Sequence, residues 1–278
     1  MFLFVIFFEM RVFSFYQIVL IFMIYSFLGW MCEVIYCSIG RRTFINRGFL
    51  YGPICPIYGC GSIIVVLVLQ PLKNNLVLLF FVTMILTSVL EYFVSWVLEK
   101  AFATKWWDYS HYKFNLHGRI CLLNSTLFGV MGVIAVKFVN PLVFSLIDFL
   151  DAFWTRSLAI IFLSIFFIDF VFTLKSLINF RVYLKKFDSF IHYLIHKIEQ
   201  EKWVIDFHEN VEDFVQKVKD NISSHLHLQN EEKTDMDKKI SNFVEKRKSY
   251  KRFINKFPNL KSKKFPKSVE QIKYLLKK

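Results

Sequence analysis

The chain has no GxxxxGK[ST] phosphate loop, no HExxH, no GxSxG, no calcium loop of the DxDxDG kind and no CxxC pair, and each gap removes a class of chemistry. Without the phosphate loop it hydrolyses no nucleotide by itself, so any ATP-driven work needs another subunit. Its five cysteines, Cys32, Cys37, Cys55, Cys60 and Cys121, lie in or beside apolar stretches, and its seven histidines fall in loops or near the C-terminus. Metal sites and a disulfide framework are therefore not expected, and no cofactor is implied; the cysteines are expected to act as small core residues. Met1 to Phe8 is apolar but lacks the basic leader and small-residue cleavage site of a signal peptide. It is expected to lengthen the first span or to lie along a membrane surface.

What is present divides the chain in two. Apolar residues make up 55% of it, 34 of them Phe, yet its formal net charge is +13. Residues 1–180 hold 12 Lys or Arg against 8 Asp or Glu, whereas residues 181–278 hold 23 against 14. This division predicts a transmembrane domain over 1–180 and a basic cytoplasmic tail over 181–278. About 20 apolar residues in a helix cross about 30 Å of hydrocarbon. Five stretches qualify, near Phe13 to Ile39, Phe49 to Leu69, Leu76 to Phe102, Ile120 to Phe138 and Leu158 to Leu174. The expected fold is all-α, a polytopic membrane helix bundle of about five spans, with Leu142 to Phe153 as an interfacial or re-entrant piece. Arg41, Arg42 and Arg47 after the first span and Lys105, Lys113 and Arg119 after the third share a side with the basic tail. That side is expected to be cytoplasmic and the N-terminus outside.

Within the third span Thr83, Thr87, Glu91, Ser95 and Glu99 recur at every fourth position among Leu, Phe, Val, Ile and Trp. Polar groups are costly in lipid, so this stripe is expected to face protein or water. Glu91 and Glu99 stand about 12 Å apart along the axis, too far to work as a pair on one helix, and each needs a partner from elsewhere. The plain alternative is that the hydroxyls bond back to their own helix and the carboxylates sit in structural ion pairs. On the first span Ser26, Gly29 and Glu33 share helical spacing, so a helix approaching at Gly29 meets a third carboxylate. The run Asn46 to Gly61 contains Pro53, Pro56 and four glycines. It predicts an interrupted helix whose freed amides face an anion or polar group, or else an ordinary loop with Pro at a first helical turn. Trp106, Trp107 and Tyr109 suit the headgroup region. Arg119, at the start of the fourth span, is placed to pair with Glu33, Glu99 or a substrate anion. Gly129 and Gly132 permit close helix packing, and Asp169, the lone carboxylate of the fifth span, is expected to be structural, with Lys175 snorkelling nearby.

At these residues the chain resembles the bacterial CmpB-type family of ABC-transporter permeases. The resemblance rests on Gly29-Trp30 with Glu33, the Asn46 to Gly61 run, Glu91-Tyr92 with Ser95 and Glu99, Trp107-Asp108-Tyr109, and Asn115 with Gly118-Arg119. It covers roughly residues 20 to 140 and implies a polytopic protein of the bacterial inner membrane with a transport role. The EAA-type loop of many importer permeases is missing, which leaves coupling to an ATPase open.

The candidate binding residues are Glu33, Arg47, Tyr51, Glu91, Ser95, Glu99, Asp108, Asn115 and Arg119. They fit a permease-like subunit with an intramembrane polar pocket for a small polar or anionic solute, working as a homodimer or with a separate ATPase subunit. The alternative is a membrane-embedded enzyme or lipid-binding protein using the carboxylates and an Arg. A third use is a scaffold whose polar residues only join helices. In the tail, Leu184, Phe187, Ile191, Leu194, Ile195 and Ile198 recur at helical spacing, and basic clusters at Lys246-Arg247-Lys248, Lys251-Arg252 and Lys261 to Lys267 surround Phe253, Phe257 and Phe265. Anionic lipid headgroups are the expected partner of these clusters. No recognised nucleic-acid-binding motif accompanies them.

Overall fold

A computed structural model describes residues 12–199 and, beyond them, 238, 253, 255–257 and 260–262. The architecture is helical, and among the described residues four helices are long and apolar enough to cross a membrane: Phe15–Ile39, Leu76–Phe102, Leu122–Phe149 and Ala152–Lys186. A shorter apolar helix covers Pro56–Leu72.

Helix α1 (Phe15–Arg41) starts at a capping box in which Ser14 Oγ accepts from the Gln17 amide and Gln17 Oε1 accepts from the Ser14 amide. It ends at Arg42, held in the left-handed region at φ 52°. Helix α2 (Pro56–Ile64) continues through a π turn at Val65–Leu69 and a 3₁₀ turn at Gln70–Leu72. Its start lies seven residues later than the expected Phe49, because Gly48 to Cys55 is irregular and Pro56, lacking an N–H, suits the first helical turn. Helix α3 (Leu76–Phe102) is capped by Asn75, whose Oδ1 accepts from the Leu78 amide at 3.0 Å, and ends at Ala103 with φ 56°.

A two-residue hairpin, β1 (Asn115–Leu116) with β2 (Ile120–Cys121), leads into α4 (Leu122–Ile134). After a second π turn, Ala135–Val139, the chain continues as α5 (Asn140–Phe149). The stretch around Leu142 is therefore not a separate interfacial piece: Pro141 sits in the first turn of α5 just after the widened turn, which absorbs its missing donor without ending the helix. Helix α6 (Ala152–Glu199) completes the described elements.

The chain divides into two compact units, Met1–Leu177 and Ile178–Lys278. In the second, the Phe180 and Phe253 rings lie 5.4 Å apart, and Phe257 and Leu260 are buried. The backbone of α6 carries the expected tail helix as far as Glu199. The side chains of Phe187, Ile191, Leu194, Ile195 and Ile198, and the clusters at 246–248, 251–252 and 263–267, lie outside the described residues.

The first unit contains the same hairpin twice. At one constant spacing, with no insertion, Phe27, Trp30, Glu33, Leu50, Gly52, Ile54 and Cys55 correspond to Phe93, Trp96, Glu99, Leu116, Gly118, Ile120 and Cys121. The local structures match as well. Each long helix ends at a left-handed residue, and each return helix begins at a buried, extended cysteine, Cys55 or Cys121. Each then passes through a π turn into an amide-Pro-Leu sequence, Gln70-Pro71-Leu72 or Asn140-Pro141-Leu142, reached in the second hairpin through a return helix of 13 residues where the first has 9, so the register shifts there by about one helical turn. Asn140 Nδ2 donates to Gln70 Oε1 at 3.2 Å, so equivalent side chains of the two hairpins meet, and Tyr25 donates to Asn140 Oδ1.

Candidate functional site

The polar stripe of α3 turns inward, as expected of polar groups in a membrane: Thr83, Glu91 and Ser95 are all buried. Its hydroxyls are partly accounted for by their own helix, since Thr83 donates to the Leu79 carbonyl and Thr87 to the Thr83 carbonyl, each at 2.7 Å. Gly132 of α4 packs directly on Thr83: a Cβ there would lie 2.1 Å from Thr83 Cγ2. The carboxylates are treated differently. Glu99 Oε2 accepts from Arg119 Nη2 at 2.8 Å, with only 11% and 13% of the Arg119 and Glu99 side chains exposed. Arg119 Nη1 donates to the Tyr92 hydroxyl at 2.9 Å, and the guanidinium lies 5.0 Å over the Tyr92 ring. Arg119 thus divides its fork between two partners instead of gripping one carboxylate with both arms, and its buried Nε has no hydrogen-bond partner among the described residues.

Glu33 is served by its own hairpin. Its Oε1 accepts from the Tyr58 hydroxyl at 2.9 Å, and its Oε2 lies 3.5 Å from Arg47 Nε. Gly29, one turn earlier, makes this meeting possible, since a Cβ there would lie 2.2 Å from the Tyr58 ring. The two equivalent glutamates, Glu33 and Glu99, therefore each hold an arginine from the loop that follows their helix.

Glu91 lies about two turns before Glu99 on α3. Its Oε1 accepts from the Tyr109 hydroxyl at 3.2 Å, while its Oε2 is buried without a hydrogen-bond partner among the described residues. The Glu33 carboxylate acts electrostatically on both Glu91 and Tyr109, and Asn124 of α4 hydrogen-bonds Tyr109. Burial foremost, then the charges of Glu91 and Glu33, push the Tyr109 phenol well above its ordinary value, so it remains a donor. Tyr58 touches the ring of Phe128 on α4 at 6.1 Å. The result is a polar cluster at the junction of the hairpins: Glu33, Tyr58, Glu91, Tyr109 and Asn124.

The remaining expected residues fall elsewhere. Asp108, buried, accepts from the Ser110 hydroxyl at 2.8 Å and the Ser110 amide at 3.3 Å. Asn115 ties the hairpin by accepting from the Gly118 amide at 2.9 Å and donating to the Tyr112 carbonyl. Gly118, at φ 67°, occupies a conformation that favours glycine, and a Cβ there would also lie 2.4 Å from Asp108 Oδ1. The Tyr51 side chain is exposed; its backbone is what the fold uses. Asp169 accepts from the Tyr51 amide at 2.8 Å and the Gly52 amide at 2.7 Å. The anion facing the freed amides of the broken run is thus the chain's own Asp169, which gives that carboxylate a structural role. Ser95 lies buried on the Glu91 face.

Sequence reasoning missed the phenols that complete the site, Tyr58, Tyr92 and Tyr109. The internal repeat marks Glu33 and Glu99 as equivalent, but the contacts that bring these phenols in, Tyr58 to Glu33, Tyr92 to Arg119 and Tyr109 to Glu91, are made by the fold.

Membrane-length helices enclosing carboxylates, phenols and guanidinium groups define a polytopic helical membrane protein. The sequence model of the family described as putative ABC-transporter type IV matches residues 20–174, and the chain belongs to that family. The match takes in both hairpins and the first part of α6. Comparison with curated proteins gives no match, and comparison with solved structures gives none either.

Proposed function

We propose that the chain is a transporter subunit in which the cluster at the hairpin junction forms the polar station of a route for a small polar or anionic solute. The observation that carries this reading is Glu91: a carboxylate buried between membrane helices, with one oxygen on Tyr109 and the other without a partner among the described residues. A carboxylate in low dielectric with no cation beside it among the described residues is held at a cost. Such a group changes its charge state or its partner when a proton or solute arrives, and so couples the two movements. Tyr109, Tyr58 and Asn124 supply the polar atoms for a passing solute, and Arg47 and Arg119 stand at the flanking glutamates as sources of positive charge. Membership of an ABC-transporter family, together with the missing phosphate loop, supports a separate ATPase subunit as the energy source. The Lys and Arg pattern supports a cytoplasmic C-terminus.

The test is flux in reconstituted vesicles across a panel of small anions and polar solutes, with pH followed inside. Glu91→Gln keeps the shape and removes the titrating group, and is expected to abolish the flux and any accompanying proton movement. Wild-type flux in that variant removes Glu91 from the mechanism.

A further inference from the structure

The two hairpins are alike in sequence and unlike in what covers them. In the first, α6 lies in the groove between α1 and the loop that precedes α2. Phe166 meets Phe22 edge-on at 5.3 Å, Asp169 takes the Tyr51 and Gly52 amides, and Ala159 joins a core with Val19, Met23 and Leu50. In the second hairpin the same groove is open, a cleft of about 930 Å³ between α3, the hairpin loop and the start of α4. The equivalent residues show the difference directly. Val19, Met23 and Leu50 are 6%, 8% and 0% exposed, whereas their counterparts Ile85, Val89 and Leu116 are 58%, 62% and 51% exposed. One sequence frame thus builds a helix-binding groove twice, and the described residues fill it once.

We propose that the open groove receives helix α6 of a second copy of this chain. The fit rests on two further observations. First, α6 uses one face on its own hairpin and leaves the other bare: Ile161, Ile165, Ile168 and Phe172, at seam spacing, are 52%, 54%, 56% and 61% exposed. The chain therefore carries both an unused ridge and an unfilled groove of the kind that such a helix fills. Second, the direction is right. Arg156 of α6 lies over the Tyr16 ring near the start of α1, and Asp169 lies at the loop beyond its end, so α6 runs parallel to α1. Two copies inserted the same way in one bilayer present α6 of each parallel to α3 of the other, and α3 is the counterpart of α1. Ridge into groove and groove onto ridge then close as a two-fold dimer with no contact left over. Ser88 and Ser125, small and hydrogen-bonded to each other at 2.7 Å, leave room on the groove floor for the incoming side chains.

The experiment uses the full chain with the exposed Cys32 and Cys60 replaced by serine. Two differently tagged populations, one Val89→Cys and one Ile165→Cys, are co-reconstituted at low density and treated with a short bis-maleimide. The expected product is a covalent dimer bearing both tags, in at least tenfold excess over that from a Leu142→Cys control on a different lipid-facing surface. Native mass spectrometry of the untreated protein is expected to give the dimer mass. Ser88→Trp fills the groove and is expected to remove the crosslink and leave the monomer mass, while circular dichroism stays helical. A monomeric wild type, crosslinking at the control level, or a monomer retaining a phospholipid that Ser88→Trp displaces would each overturn the proposal, the last by making the groove a lipid site.

Discussion

The first and second hairpins place a glutamate at the same position and then neutralise it from different sources. Glu33 meets an arginine upstream of its return helix, at 3.5 Å and with 28% of the carboxylate side chain exposed. Glu99 meets Arg119, two residues before its own buried cysteine, at 2.8 Å and largely shielded from solvent. The difference shows that the repeat specifies the acid, while the loop determines which arginine answers it and how far the pair is shielded. Position 119 corresponds to Pro53 in the first hairpin, so one site carries a chain-breaking residue in one copy and a guanidinium in the other.

The comparison breaks most readily at the arginines. Arg119→Ala takes the 2.8 Å cation contact from the shielded Glu99 and strips a donor from Tyr92, and is expected to destabilise by about 3 kcal/mol. Arg47→Ala, at a wetter and longer contact, is expected to cost about 1 kcal/mol or less. Thermal unfolding of both variants in detergent checks the order, and an equal loss would mean that the hairpins are energetically alike. A smaller contrast lies in the loops. Asp169→Asn replaces a charged acceptor of two amides by a neutral one and is expected to cost about 1–3 kcal/mol, whereas Asn115→Ala, which releases the single Gly118 amide, is expected to cost about 1 kcal/mol. Amide hydrogen exchange at residues 51–52 and 117–118 separates the two effects. The smallest effect concerns Tyr109. Because burial raises its phenol, folding favours the protonated form; that contribution is intact below about pH 10, the ordinary tyrosine value, and is lost as pH rises through the raised one. The phenolate absorbance of wild type and Tyr109→Phe is therefore expected to coincide at about pH 10, since Tyr109 has not ionised there.

Much of this architecture is legible from residue order. Apolar length locates the long helices, and the four-residue stripe on α3 identifies its inward face, because a membrane allows few other places for Glu91. Gly29 and Gly132 mark helix contacts for the same reason. Other features depend on contacts across the bundle. Tyr109 follows two tryptophans and has the composition of a headgroup belt, and only the fold turns its hydroxyl toward Glu91. The continuation of helix past Pro141 depends on a widened turn that no residue type announces. The Tyr51 amide meets Asp169, 118 residues further along the chain, a pairing that no local pattern announces.

The Asp169 contact bears on where a substrate is recognised. Two backbone donors in a broken membrane segment would ordinarily attract phosphate or chloride, but here a carboxylate of the same polypeptide already occupies them, and its binding is intramolecular. The amide cradle is plugged from within. Under the transport reading proposed above, an anionic solute would need donors other than the Tyr51 and Gly52 amides.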